Sequence, residues 1–599
     1  MKFFSKPKLI VLVLLVGLLA TGFIYYKYIT LITKKDMAEY VPDSAAAFLE
    51  VNSLSNLFAE LIKTKAWQDF ASKFGISNQV EYIADAANIV SFTGLGLNEA
   101  TLLARAQYVV VLDGLKVETK SVDESDKDKS KESEGSNELE VIPQLALVIE
   151  THSNKVEQYL SNRVNLLAKR IYGDNITSRE ETFQDIKIKI FQVPNTERQI
   201  VTAQKGSVMI IGNSKTTIES CLAVLLGQKA SFKQDPYLKL AREKLSKDSA
   251  IFGFVTGKTV ASILQISTNI LPESLMKNNE SEQGLPSIIS AQLIDGIAYS
   301  VSFDNKQVVE KYFTLVKPDL ALKISSIVKP IANQDLTLTN KLMTKSLDFT
   351  VFFLEEPAQI IEELITAISA HTNVVVSFAL RQLVINLGKQ YGIEPNEPIG
   401  NLISNENALM KLTNNDKFLF LLKVKDKLKL LPTMGRYLRK GSTEKVNSEE
   451  YKSLEIVTSP DKEMRAIVFL EEYLLIGTRL QLMEFIDIWQ QDQKIQTNNL
   501  ELVKNNPTAI FLSYKLENQK VGEFFLNVSR LLRTTDGARE ILSTEPIKSL
   551  LTQTPASISI GYFSDEGLMI EKRSSLGVFT WLSNLIGPTE ELKESETFK

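Results

Sequence analysis

The sequence repeats itself, and a chain built from two related copies must fold into two related structures. Three markers recur in the same order. A short apolar strand ending in Ile-Gly opens 208-VMIIGNSKTTIESCLAVL-225 and again 473-YLLIGTRLQLMEFIDIW-489, with Gly212 over Gly477 and Glu219 over Glu484. Upstream, the acidic lead-in and alternating strand of 180-EETFQDIKIKIF-191 match 449-EEYKSLEIVTS-459. Downstream, 296-GIAYSVSFDNKQVVEKY-312 matches 556-ASISIGYFSDEGLMIEKR-573, each a hairpin with period-two alternation that turns at Asp304-Asn305 or Asp565-Glu566-Gly567. The glycines lie 265 residues apart and the turn aspartates 261.

A finer echo runs inside each copy. The stretches opening at Pro42, Lys247, Lys345 and Asn506 each give a polar turn, an apolar strand of about six residues and a helix whose apolar positions recur at three-to-four spacing. Each copy therefore reads as two such half-units with hairpins between them. Adjacent hairpins interspersed with helices predict an α+β fold, with mixed or antiparallel sheets packed on one side by helices. The expected segments are residues 1–35 (anchor and flanks), 36–336 (first copy), 337–586 (second copy) and a polar tail at 587–599. Residues 116–141 are almost wholly polar and charged and contain no aromatic residue, so a disordered loop is expected there.

Residues 9–26, LIVLVLLVGLLATGFIYY, are uncharged and long enough to span the ~30 Å hydrocarbon core. Lys2, Lys6 and Lys8 precede them, and Tyr25, Tyr26 and Tyr28 suit the membrane interface. Ala20-Thr21-Gly22 would also serve as a signal-peptide cleavage site. The uncleaved anchor is the preferred reading, because the apolar run continues past that site. It places the chain in the inner (cytoplasmic) membrane as a single-pass protein, with its N-terminus cytoplasmic and its bulk extracytoplasmic. No later stretch qualifies as a span: 372–388 carries Arg381 in its middle, and 576-LGVFTWLSNLIG-587 is too short and is expected to dock as a terminal helix. With 68 basic against 72 acidic residues, the net charge of −4 argues against nucleic acid as a partner.

Motifs with chemical meaning are sparse. In 249-SAIFGFVTGKTVASI-263, Gly253 and Gly257 enclose three residues before Lys258-Thr259, one fewer than a phosphate loop needs, and the three echoes carry no Gly-Lys-Thr. The expected structure is a turn with Thr256 or Thr259 capping a helix. Gly94 and Gly96 lack the third glycine of a dinucleotide fingerprint. His152 and His371, the only histidines, are too few for a zinc site or a Ser-His-Asp triad. The pairs Glu180-Glu181, Glu355-Glu356, Glu449-Glu450 and Glu471-Glu472 are adjacent in sequence, so their side chains point apart. Ser274 and Lys277 match one element of the penicillin-recognising enzymes without the others. Cys221, the single cysteine, sits in an apolar helical run and reads as a buried hydrophobe. No catalytic, cofactor-binding or metal-ligating residue is expected.

The anchor, 40-YVPDSAAAFLEVNSLSNLFAELIKTKAWQDF-70, 208-VMIIGNSKTTIESCL-222 and 235-DPYLKLAREKLSKDSAIFGFV-255 resemble a bacterial family of single-pass, envelope-facing proteins catalogued only as a domain of unknown function. The resemblance implies an extracytoplasmic location and a duplicated α+β build, and brings no activity. The expected function is non-enzymatic: binding or scaffolding a protein partner in the cell envelope. The alternative is a carrier or sensor of lipid or another apolar ligand.

Overall fold

The computed structural model describes residues 34–73, 102–120, 138–153, 156–245, 249–270, 293–328, 336–345, 347–354, 357–372, 374–390, 402–412, 418–440, 442–460, 465–491, 502, 506–532 and 556–584. The proposed anchor at 9–26 and the polar tail lie outside them, and among the described residues no helix is long and apolar enough to cross a membrane.

The first copy contributes β1 (Ala47–Val51), β2 (Gln107–Lys120), β3 (Glu138–Glu150), β4 (Thr177–Phe183), β5 (Ile186–Gln192), β6 (Gln199–Lys205), β7 (Val208–Gly212), β8 (Ile251–Thr256), β9 (Ile294–Asp304) and β10 (Gln307–Val316). The second contributes β11 (Asp348–Phe353), β12 (Ile403–Lys411), β13 (Phe418–Val424), β14 (Asn447–Tyr451), β15 (Leu454–Thr458), β16 (Arg465–Leu470), β17 (Tyr473–Thr478), β18 (Phe511–Lys515), β19 (Ser557–Ser564) and β20 (Gly567–Ser574). Helices relevant below are α1 (Leu54–Leu61), α2 (Lys65–Lys73), α3 (Val156–Tyr172), α4 (Lys215–Leu225), α5 (Pro236–Lys244), α6 (Gly257–Ile270), α7 (Thr337–Thr344), α8 (Lys427–Arg439), α9 (Arg479–Gln490), α10 (Asn518–Leu532) and α11 (Val578–Asn584).

All described strands join one sheet, and every pairing in it is antiparallel. Across the sheet the order is β4-β5-β6-β7-β3-β2-β1-β8-β9-β10, then β20-β19-β18-β11-β12-β13-β17-β16-β15-β14. The second half is the first half reversed, strand for strand. The copies meet where β10 pairs with β20, its own counterpart. Each copy is itself nearly palindromic at its centre, because β1 pairs with β8 and β11 with β18. These are the four strands of the repeated strand-then-helix half-units.

Hairpin registers place the symmetry axis. The turns of β9–β10 and β19–β20 enclose Asn305-Lys306 and Asp565-Glu566, so Asp304 corresponds to Ser564 and Gln307 to Gly567. On that alignment Lys311 corresponds to Glu571, and those two residues face each other across the seam. A local twofold axis therefore passes between them. It also corrects the matching of the turn aspartates, which are one residue out of step. Glu219 and Glu484 are likewise out of step: Ser214 caps α4 two residues after Gly212, whereas Thr478 caps α9 directly after Gly477.

Helices cover both faces, not one. On one face, α4 and α5 in the first copy and α7 and α9 in the second pack over Val109, Val148 and Ile210, or over Val351, Leu421 and Leu475. On the other, α1, α2, α10 and α11 meet around Trp67, Phe70 and Phe525, while α8 covers Leu474 and Ile476. Continuous apolar strands such as VMIIG and YLLIG are what a sheet buried on both sides requires. The expected 116–141 loop is also shortened, because β2 and β3 stay paired out to Lys120 opposite Glu138; residues 121–137 lie outside the described residues. Among the described residues the outermost strands, β4 (TSREETF) and β14 (NSEEY), are charged and largely exposed, which discourages further strand addition.

Candidate functional site

Among the described residues, one dense cluster of buried polar side chains lies at the seam between the copies. Glu310 of β10 is 2% exposed. One of its carboxylate oxygens accepts from the Tyr299 hydroxyl (2.8 Å) and the Tyr312 hydroxyl (3.2 Å), and the other from Lys572 Nζ (3.0 Å), directly opposite on β20. Glu517 is also buried and accepts from the Ser575 N–H at 3.0 Å. Burial pushes its carboxyl above the usual range, against the pull of Lys572. Gly577, at φ +52°, closes over the cluster, where a Cβ would crowd Val308, Glu310 Oε2 and the buried Ser574 hydroxyl. On the opposite face of the same two strands Lys311 pairs with Glu571 at 3.4 Å.

The arrangement fixes register and gives little scope for acid–base chemistry. Burial first, and then the charge of Glu310, hold the Tyr299 and Tyr312 hydroxyls above their ordinary range, so they donate and do not act as bases. A buried ion pair costs desolvation that only one alignment of β10 on β20 offsets, so any slipped pairing strands a charge. Stacking of Phe70 on Phe525, with centroids 3.9 Å apart, locks α2 of the first copy to α10 of the second over the same seam.

A second polar arrangement occurs once per copy, where the chain leads into it. Lys35 exchanges two hydrogen bonds with the Gln107 side chain, through its N–H (2.8 Å) and its C=O (2.9 Å). Its ammonium reaches the fully buried Glu150 at 2.6 Å, beside the Tyr40 hydroxyl at 2.7 Å, while the His152 N–H bonds the other oxygen. Burial alone would push Glu150 up, but the bonds from Lys35, Ser207 and Tyr40 outweigh it and hold the carboxyl down at about 2. Met37, Ala38 and Val41 are completely buried behind this clamp, and Arg242 ties Asp36 (2.6 Å) to Glu50 (2.9 Å).

In the second copy, Glu406 accepts from the Leu338 N–H (3.1 Å), Lys423 Nζ (3.2 Å) and the Tyr473 hydroxyl (3.4 Å). Glu150 pairs with Val208 and Lys423 with Tyr473, each just after the equivalent two-residue turn, so Glu150 and Lys423 are counterparts. Gln107 and Glu406 then correspond one strand over. Both copies thus hold their lead-in segment by one buried carboxylate, placed on different strands.

The residues singled out from the sequence are dispersed. Gly257 opens α6 so close to β9 that a Cβ would overlap the Ile294 carbonyl, and the Thr256 hydroxyl caps the Thr259 N–H at 3.3 Å. Close packing thus accounts for the glycine of Gly-Lys-Thr. Cys221 is buried, which pushes its thiol up to about 12. His152 sits beside Glu150 at φ 55°, and His371 lies far along the chain with Nδ1 2.9 Å from the Ala367 carbonyl. Glu180 and Glu181 diverge to Lys189 (3.5 Å) and Lys215 (2.5 Å); Glu449 bonds Arg479, the counterpart of Lys215 at the start of α9. Glu471 and Glu472 part to Lys341 and Lys423. Leu576, just before the terminal helix, and Phe579 within it are buried in the seam core. Gly94, Gly96, Ser274, Lys277, Glu355 and Glu356 lie outside the described residues. Among the described residues no three His, Cys, Asp or Glu side chains gather as they would around a metal ion.

Sequence reasoning missed Glu310, Glu150 and Glu406; the first two are lone carboxylates in or beside apolar strand residues, whereas Glu406, between Asn405 and Asn407, carries no such signal. No protein-family model matches the chain, no curated protein matches it, and no solved structure matches it.

Proposed function

We propose that the chain is a membrane-anchored, extracytoplasmic, non-enzymatic protein whose double-length sheet binds or scaffolds another protein of the cell envelope. The observation that supports this reading is the clamp on Lys35. Lys35 lies nine residues beyond Tyr26, where the apolar run ends, a reach of at most about 32 Å fully extended. An anchor at 9–26 would therefore hold the body close to the membrane, through a segment that belongs to the first copy's core. The buried carboxylates at the seam and the two lead-ins are occupied in holding the body together, which suits a rigid platform.

Native mass spectrometry of the full-length protein, gently extracted from its own membranes, tests the reading. A second polypeptide at fixed stoichiometry is the expected result. Arrival alone with a lipid-sized mass would replace scaffolding by ligand carriage.

A further inference from the structure

A helix lying on a sheet needs one apolar face, and α8 has two. Leu430, Thr433, Met434, Tyr437 and Leu438 are buried against the second copy. On the opposite side Leu428 is 78% exposed and Leu431 42%, and Pro432 is exposed beside them. Spacings of three and four put these three residues in one stripe.

The stripe is bordered by positive charge. Lys425, Lys427, Lys429, Arg439 and Lys440 are all exposed, and residues 425–440 carry six basic side chains against one acidic, in a chain whose net charge is −4. The acidic residue, Asp426, is the helix cap and pairs with Lys429 at 3.0 Å. Lys427 lies over the Phe469 ring at 4.3 Å. Leucines protruding between lysines at one end of a helix, with arginine and lysine at the other, match an anionic lipid interface: the headgroups take the charges and the acyl boundary takes the leucines. The counterpart helix α3 follows β3 as α8 follows β13, and carries three basic residues and one acidic between Val156 and Tyr172, with Leu166 exposed.

We propose that α8 is a second membrane contact, laid on anionic phospholipid through Leu428, Leu431 and the surrounding lysines and arginines. The proposal rests on the anchored reading above for bringing the body to a membrane, and it names what the second copy does there.

The buried native cysteine lets Leu428→Cys carry a single environment-sensitive label in the full-length chain; Leu166→Cys on α3 is the control. The labelled proteins are reconstituted into vesicles of phosphatidylcholine alone, or with about three lipids in ten replaced by phosphatidylglycerol, and brominated lipid serves as quencher. The expected result is quenching at position 428 several-fold above that at 166 in anionic vesicles only. Replacing Lys427 and Lys429 by Glu should weaken it roughly tenfold, as should salt near ~1 M. Equal quenching at both positions, or quenching indifferent to phosphatidylglycerol, overturns the proposal. So does protection of the label in native membranes but not in protein-free anionic vesicles, which would point to an acidic protein instead. Release of the chain by an alkaline wash, applied after the label is read, would count against the anchor and not against this contact.

Discussion

Replacing Glu150 by Gln should loosen the lead-in segment while leaving the rest of the first copy folded. The carboxyl is held at about 2 against an ordinary value of 4.5, so the folded state binds its proton more weakly than the unfolded chain does. Stability from this group is therefore complete above about pH 4.5 and is lost as pH falls toward 2. The full difference amounts to about 3 kcal/mol. Solvent reaches the Lys35 side chain, which is 44% exposed, and screening brings the expected cost nearer ~2 kcal/mol. Hydrogen exchange of peptides covering residues 35–41 reads that cost directly. At pH 7 protection in the variant should fall roughly thirtyfold. As the pH is lowered to 3 the gap between the two proteins should close to less than half, because the native carboxylate is then losing its advantage. A fall of less than about threefold at neutral pH, or a gap that stays constant down to pH 3, would show that the Lys35–Glu150 pair does not hold the segment.

Three further outcomes follow from the packing. Lys572→Met leaves Glu310 buried without its cation and should cost about 3–5 kcal/mol in thermal or urea unfolding, while adding Glu310→Gln should recover a large part; an additive double variant would mean the two do not interact. Glu50 is raised by burial to about 7 despite Arg242, so its folded form favours the proton and stability falls as pH rises from about 4.5 to 7. Glu50→Gln should accordingly raise the melting temperature at pH 8 and leave it unchanged near pH 4; a lower melting temperature at pH 8 would refute this. Gly257→Ala should destabilise the protein by several kcal/mol through overlap with the Ile294 carbonyl, whereas Lys258→Ala on the exposed side should be nearly neutral; equal effects would remove the packing account of that glycine.

The repeat in the sequence carried much of the fold, because a strand-turn-helix unit is a local pattern and survives divergence. The four half-units opening near Pro42, Lys247, Lys345 and Asn506 became β1, β8, β11 and β18 at the centre of each copy. Register was less legible. Two hairpins can carry an aspartate near the turn and still differ by one residue in which positions the turn encloses, and only the pairing of Asp304 with Gln307 and of Ser564 with Gly567 decides it. Adjacent hairpins interspersed with helices predict one-sided helix packing, but continuous apolar runs such as YLLIG, unlike the alternation of IKIKIF, mark strands covered on both faces.

The buried carboxylates escaped for a different reason. Matching the copies residue by residue sets Gln107 against Glu406 and Glu150 against Lys423, and each of those comparisons looks like an unrelated exchange on a divergent surface. In the folded chain the same places hold one negative charge among donors, on β3 with Lys35 in the first copy and on β12 with Lys423 in the second. The feature common to the two copies is the compensated charge, not the residue that bears it. A neutral glutamine or a partner lysine can take the other side, because burial requires only that the carboxylate be satisfied, and either strand can supply it. The same condition operates at the seam. There Lys311 faces its own counterpart Glu571, so the symmetry of the backbone is exact enough to juxtapose equivalent positions while the sequence at those positions has become complementary. Two identical side chains with like charge at that distance would repel across the axis, and divergence to lysine and glutamate turns the closest approach of the copies into an attraction.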